Sequence, residues 1–592
     1  MRISRRTQRA RVGAAAALAL TSGIAALGAA AADWPQLRGD TQRTGIAAEA
    51  IKPPLSVLWR FTGGVQNNNI TSPVIIGNTV YFSTRASNQQ GGVLYALDAK
   101  TGERKWSYPQ DTNGLAGGKY FTTTVTHDNG KLYVGSSGGT LYVLDAKTGV
   151  EVGGPFQLGR RIDSAPIIEN GTLYFGCNDG MFYALDSQTG EKRWSQMDTR
   201  NRRTVGYAYP AGEGVSSAPL LAGDMMLFQT TDNQIHGIKQ ATGNFRWKTR
   251  LPYTFLPHGM TFAGNSIFVA TGPALYSVLP ASGSIRWYRN LPNDILAAPA
   301  LSEGIAYVGC KDANGDGGLL YALKDNGREH WKKPVKLPYA PAGAPIVSGE
   351  VIYVPGQRGT LMGIDKAEGG LLWAYQLQPV TSRPNTTPAL ETIVAAPLAL
   401  SGGTLYVLSS DGTLTAFRAD APDTTGPVFT GHYPKAGSAL NGKPPFLVAA
   451  KVKDFGSGLN SESVSVALDG KDVTGTYSLK SGLLSYKTQS SGRLVDPPLA
   501  NGRHVVTMRA KDWRGNETVE TWSFVVDNSL PERVGLPDLA APPRTGTGAG
   551  AGTGIGGGAG VGGLRGGGGS PRGGSGSPRG GAGGSRPGGG GG

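Results

Sequence analysis

Cysteine is almost missing from these 592 residues: Cys177 and Cys310 are the only two, and they stand far apart. No Cys-x-x-Cys-His run exists, so no covalently attached haem is built in, and two isolated cysteines make no disulfide framework. Both fall at equivalent places of two copies of a repeat described below, where small buried strand residues are expected. A His-Glu-x-x-His zinc motif and a Gly-x-Ser-x-Gly nucleophile elbow are also absent, which removes the commonest sequence signs of a metalloprotease or a serine hydrolase. Long apolar runs are lacking apart from one near the start. It is alanine-dominated, begins at Val12 after five arginines, and ends in Ala30, Ala31 and Ala32. That order is expected of a cleaved secretory leader over residues 1–32, not of a membrane span. No cysteine lies near the cleavage position for a lipid to attach to. An exported protein, periplasmic, cell-surface or secreted, is therefore expected.

Acidic residues are lacking at both ends, and this inflates the net charge of +15. The leader has five arginines and no acid, and the segment from Ala540 has Arg544, Arg565, Arg572, Arg579 and Arg586 and no acid. The roughly five hundred residues between are only mildly basic, so specific nucleic-acid binding by the folded body is not expected.

What the chain has in abundance is a repeat. The segment Leu94–Trp106 returns at 141–153 and 182–194, then in degraded form at 235–247, 275–287, 320–331 and 361–373. A final copy at Leu414–Asp420 stops before its tryptophan. Periods of about 40–50 residues with alternating apolar positions and Asn/Asp-Gly turns indicate four-stranded propeller blades. A small residue followed by proline opens the inner strand in six copies, for instance Ala165-Pro166 and Ala298-Pro299. Seven tryptophans, Trp59, Trp106, Trp194, Trp247, Trp287, Trp331 and Trp373, occupy outer-strand positions. They recur with the architecture and not with one site, so packing between blades explains them better than a ligand-stacking belt. Trp59 stands in a strand before the first blade, while the last copy lacks its own outer strand. That predicts an N-terminal strand closing blade eight, with the propeller spanning 33–420.

The Ala96-x-Asp98, Thr101-Gly102-Glu103 and Trp106 pattern, and its copy from Ala184 to Trp194, resemble the repeat of the pyrroloquinoline-quinone (PQQ) propeller superfamily, which includes BamB-like proteins and quinoprotein alcohol dehydrogenases. The pattern departs in blade two, where Gly153 replaces the tryptophan. For a dehydrogenase the resemblance would imply bound calcium and PQQ, a catalytic aspartate and a pair of adjacent cysteines. The adjacent pair does not exist here.

Beyond the propeller, short alternating strands over 425–527 predict a β-sandwich that resembles bacterial Ig-like domains. Asp454–Gly458 and Asp512–Asn516 read as turns within it. From 540 to 592 the chain is glycine with arginine, proline, serine and alanine, the composition of a disordered tail. The fold class expected is thus all-β: an eight-bladed propeller, a sandwich and a Gly-rich tail.

Two candidate sites follow. Asp312, Asn314 and Asp316 have the first half of a calcium loop, although Leu323 stands where a bidentate glutamate belongs, and turn chemistry accounts for such clusters equally well. The inter-blade loops should gather Asn68, Arg161, Asp163, Glu213, His258, Asp294 and Arg383 around one mouth of the axial channel. The function expected is a non-catalytic envelope or extracellular binding scaffold, a monomer without a membrane span, taking proteins or polymers as partners. No catalytic residue and no cofactor are assigned. The alternative is a PQQ- and calcium-dependent oxidoreductase with a divergent site.

Overall fold

The computed structural model describes residues 33–532 apart from short breaks, the longest at 378–395. The leader and the Gly-rich tail lie outside the described residues. The regular elements of the described part are almost all strands, and among its residues no helix is long and apolar enough to cross a membrane.

Eight four-stranded antiparallel sheets succeed one another along the propeller. The first is built from Val74–Ile76, Thr79–Arg85, Gly92–Asp98 and Arg104–Tyr108. The last takes Ala399–Ser401, Thr404–Leu408 and Thr413–Arg418 from the chain's later part and Ser56–Thr62 from its beginning. Ser56 pairs with Arg418 and Thr62 with Thr413, with a bulge between Val57 and Trp59. The ring therefore closes through backbone hydrogen bonds and leaves no unpaired edge at that seam.

The tryptophans stitch each blade to the next. Trp59 Nε1 donates to Ala99 O at 3.1 Å, Trp106 to Ala146 O at 3.2 Å, Trp194 to Gln240 O at 3.0 Å and Trp247 to Pro280 O at 2.8 Å. Trp287 reaches Asp325 O at 2.6 Å and Trp331 reaches Lys366 O at 3.1 Å. Each acceptor lies within two residues after the third strand of the next blade. The Thr-Gly of the repeat is explained by the same contact. Gly243 has φ +69°, and a Cβ there would lie 2.7 Å from the Trp194 ring; only glycine fits both constraints. In blade two Phe156 fills the tryptophan's place, and a Cβ on Gly190 would lie 2.1 Å from its ring.

The chain departs from the expected pattern in blade three. The chain between the repeat's Trp194 and blade four carries a ribbon of Gln196–Asp198 with Arg203–Gly206. The blade's fourth strand is then Ala208–Pro210, which pairs with Met181–Tyr183. Tyr209, opposite Phe182 in this pairing, is buried against Phe228 and His236 of blade four.

Residues 33–49, which no repeat periodicity marks, form a strap that visits all eight blades in order. Trp34 bridges Ile75, and Pro35 O accepts from His127 N. Leu37 packs with Ala165 and Ala218. Thr41, Gln42, Thr44 and Gly45 carbonyls then accept from Leu221, Phe262, Leu301 and Val347 amides, and Glu49 Oε2 accepts from Gly403 N. Two arginines of the strap are buried. Arg38 donates to Thr261 Oγ1 at 2.9 Å and Pro299 O at 2.7 Å, and Arg43 to Leu37 O at 2.6 Å and Pro219 O at 3.2 Å. The prolines that open the inner strands thus give carbonyls to the strap. Burial lowers the two guanidinium pKa values to about 10 and about 9, so both stay charged at neutral pH and need these carbonyls.

The second domain is two facing sheets. One has the order Val428–Tyr433, Leu447–Lys453, Leu483–Lys487, Thr476–Ser478. The other contains Glu517–Val526, Gly502–Asp512 and Leu459–Leu468. Phe429, Val448, Leu484, Met508 and Phe524 share the core between them.

This domain interrupts the tryptophan pattern. Trp373 of blade seven packs its ring against Phe417 of blade eight, but its Nε1 donates not to that blade but to Ser457 O of the sandwich, at 2.8 Å. Ala419 O, the equivalent acceptor in blade eight, takes a bond from Arg514 instead. Val57 N donates to Gly456 O at 3.1 Å, Tyr375 OH to Phe455 O at 3.2 Å, and Trp513 Nε1 to Ala374 O at 3.0 Å. The sandwich is wedged into the seam between blades seven and eight.

Candidate binding face

The strap occupies the side where first and second strands turn. The opposite side carries the inter-blade loops and the turns between second and third strands. Arg161 and Asp163 pair with one another. Arg161 Nε bonds Asp163 Oδ1 at 2.5 Å, and Asn178 Nδ2 donates to Asp163 Oδ2 at 2.9 Å. Glu213 lies in the loop before blade four, exposed, and Asp294 before blade six, where its carbonyl accepts from Lys311 N at 3.2 Å. Among the described residues no hydrogen bond or ion pair ties Glu213 or Asp294 to Arg161 or Asp163. Asn68 and Arg383 lie outside the described residues. His258 is in the strand Phe255–Ala263, but its side chain also lies outside them.

The best-formed feature of this face was not singled out by sequence. Arg161 Nη1 donates to Tyr120 OH at 2.9 Å, and the Arg85 guanidinium lies over the Tyr120 ring at 3.9 Å. Tyr120 belongs to the loop between blades one and two, so three blades meet there. A second pair, Arg358 over Tyr339 at 5.9 Å, sits on the blade-seven side. Arginines held over tyrosines present planar donors at fixed positions, suited to carboxylates and aromatic groups. These residues lie where the repeat has no consensus, so a search for recurring positions passes over them.

Of the candidate calcium loop, Asp312 is described and its amide donates to Gly317 O at 2.8 Å. Asn314 and Asp316 lie outside the described residues. On the strap side a cavity of 590 Å³ is lined by Asp33, Gly77, Lys100, Thr404, Tyr406 and Arg418, at the seam between blades one and eight.

The family described as outer membrane protein assembly factor BamB matches residues 54–249 and 254–428. The chain belongs to that family. As a BamB-family propeller it is also similar to solved structures. Quinohemoprotein alcohol dehydrogenase ADHIIG from Pseudomonas putida HK5 aligns at 13% identity with a TM-score of 0.50, covering 70% of this chain and 84% of that one. The quinohemoprotein alcohol dehydrogenase of Comamonas testosteroni aligns at 16% identity and TM-score 0.48, covering 68% and 83%. BamB from Moraxella catarrhalis aligns at 17% identity and TM-score 0.33, covering 59% and 82%. At these identities the likeness is one of fold. No curated protein matches at a significant level.

Asp163 is already bonded on both oxygens, by Arg161 and Asn178. Cys177 and Cys310 are wholly buried in two different core clusters and are unpaired. Burial pushes their thiols up to about 12 and about 11, the state of inert structural cysteines.

Proposed function

We propose that this BamB-family chain is a non-catalytic, exported binding scaffold that presents its inter-blade-loop face to a protein or polymer of the cell envelope or cell surface. The observation that supports this reading most is the division of the two faces. One face is covered by the strap, and the other has a rim of arginine–tyrosine pairs whose carboxylate is committed to an arginine. Such a rim offers recognition groups held at fixed positions. The leader-like sequence supports export, and the sandwich extends the reach of the propeller without adding catalytic groups.

Titration of the full chain with PQQ in excess calcium, followed by tryptophan fluorescence, separates this reading from an oxidoreductase. A flat titration is expected, and saturable one-to-one quenching at micromolar PQQ would overturn the scaffold. For the face itself, the measurement is retention of envelope proteins or peptidoglycan by immobilised protein. Arg161→Ala with Asp163→Ala should reduce retention at least about tenfold, the order of one lost charged contact, and unchanged retention refutes the use of this face.

A further inference from the structure

The two turns at Asp454 and Asp512, with the connection that leaves blade eight, meet at one point beside the seam. Carboxylate oxygens of Asp423, Asp454 and Asp512 lie within 4.8 Å of one another. Asp454 is 5% exposed and Asp512 is 2% exposed. Backbone amides orient the group. Gly456 N and Gly458 N donate to Asp454 Oδ1 at 3.0 and 2.6 Å, and Ser457 N donates to Asp423 Oδ2 at 2.6 Å. Asn516 holds Asp512 through N and Nδ2 at 2.8 and 2.7 Å and also bonds Asp423 O at 3.0 Å.

Three convergent carboxylates, two of them buried, need a positive charge, because buried anions are paired or bind metal. No lysine, arginine or histidine forms an ion pair with any of the three among the described residues.

A separate observation points to a ligand. Ser457 is wholly buried, and its hydroxyl has no hydrogen-bond partner. Its own amide is bonded to Asp423, so covalent geometry keeps that hydroxyl within about 6 Å of the same carboxylate. A buried, unsatisfied hydroxyl within that reach of the Asp423 carboxylate is an oxygen donor without a partner.

We propose that Asp423, Asp454 and Asp512, with the Ser457 hydroxyl, bind one calcium ion that fastens the sandwich to the propeller. Donors that are all oxygen select a hard cation. Oxygens bound to one calcium at about 2.3–2.6 Å lie no more than about 5 Å apart, the spread observed here. The location gives the ion its role. Asp423 belongs to the connection from blade eight, whereas Asp454 and Asp512 belong to the sandwich. The turn that follows Asp454 and carries Ser457 also receives Trp373, Tyr375 and Val57 from the propeller. Calcium at this point would join three segments that otherwise repel one another.

The test uses the full chain, freed of metal by chelator, with calcium measured by calorimetry and terbium as a luminescent probe. Trp373, bonded to Ser457 O, is placed to sensitise terbium emission. Saturable terbium emission displaced by calcium is expected, at one ion per chain outside the Asp312 loop. Asp454→Asn with Asp512→Asn should weaken calcium binding by at least about a hundredfold, since affinity follows ligand charge, while Asp312→Ala should leave this event unchanged. If the double variant does not fold, the wild-type chain still decides: calcium should slow proteolysis between residues 419 and 427 at least tenfold over the chelated protein. Absence of saturable binding at millimolar calcium, binding unchanged in a folded double variant, or binding abolished by Asp312→Ala would each overturn the proposal.

Discussion

Replacing Trp373 by phenylalanine tests whether the sandwich is part of the propeller's seam. The Trp373 ring is wholly buried, with Tyr375, Tyr353 and Phe417 ring centres at 6.1, 6.5 and 5.9 Å. Phenylalanine keeps much of that contact but removes the Nε1 donor to Ser457 O. An unsatisfied buried carbonyl costs about 1–3 kcal/mol, and the smaller ring adds about 1 kcal/mol for the space it leaves. Trp194→Phe is the matched control, because it removes the same kind of bond, to Gln240 O, between two blades. Both variants should lose about 2–4 kcal/mol in urea unfolding. Only Trp373→Phe should free the sandwich locally. Cleavage between residues 419 and 427 by dilute protease under native conditions, followed by mass spectrometry, should accelerate at least tenfold, equivalent to about 1.4 kcal/mol of easier opening. Equal acceleration in Trp194→Phe, or none in Trp373→Phe, would refute the wedged seam.

Gly243→Ala should cost about 2–4 kcal/mol, from its positive φ plus overlap with Trp194. Gly171→Ala, at φ +70° with nothing within 4 Å, should cost only about 1 kcal/mol; similar losses in thermal unfolding would exclude the ring contact as the reason for the repeat's glycine. His236 is held neutral chiefly by burial, partly opposed by Asp232, with its pKa lowered to about 4. Below its ordinary pKa the unfolded chain takes up a proton that the folded chain refuses. Its stabilisation is therefore present above about pH 6.5 and lost towards pH 4, by up to about 3 kcal/mol. The difference between wild type and His236→Gln in urea midpoints should shrink over that range, and a constant difference would refute the assignment. Cys177 and Cys310 should resist a thiol reagent in native buffer and both react in denaturant; rapid native labelling would contradict their burial.

The repeat made the strands legible because each blade repeats one alternation, and Trp59 with no blade of its own pointed to pairing with the strand from Thr413. The strap was not legible. Its bonds run from its carbonyls to amides in successive blades, a pattern without side-chain periodicity, and Arg38 and Arg43 look like surface charges until eight blades surround them. The blade-two departure at Gly153 looked like a loss, yet Phe156 three residues later restores the packing by a shift in position. Arg161 and Asp163 were found because they are near in sequence and in one loop. Tyr120 and Arg85, from other blades, were not. Asp454 and Asp512 read correctly as turn residues, but their convergence with Asp423 depends on docking that no local pattern encodes.

Closing the ring with Ser56–Thr62 also imposes an order on folding. During synthesis this strand emerges early, and its partner from Thr413 follows only after about 350 further residues, a very non-local contact of the kind that forms slowly. Until then the strand is an unsatisfied template able to pair with any passing edge. A chain stalled before the eighth blade would therefore be sticky at both ends of an open arc, which predicts intermolecular strand exchange as its characteristic route to misassembly.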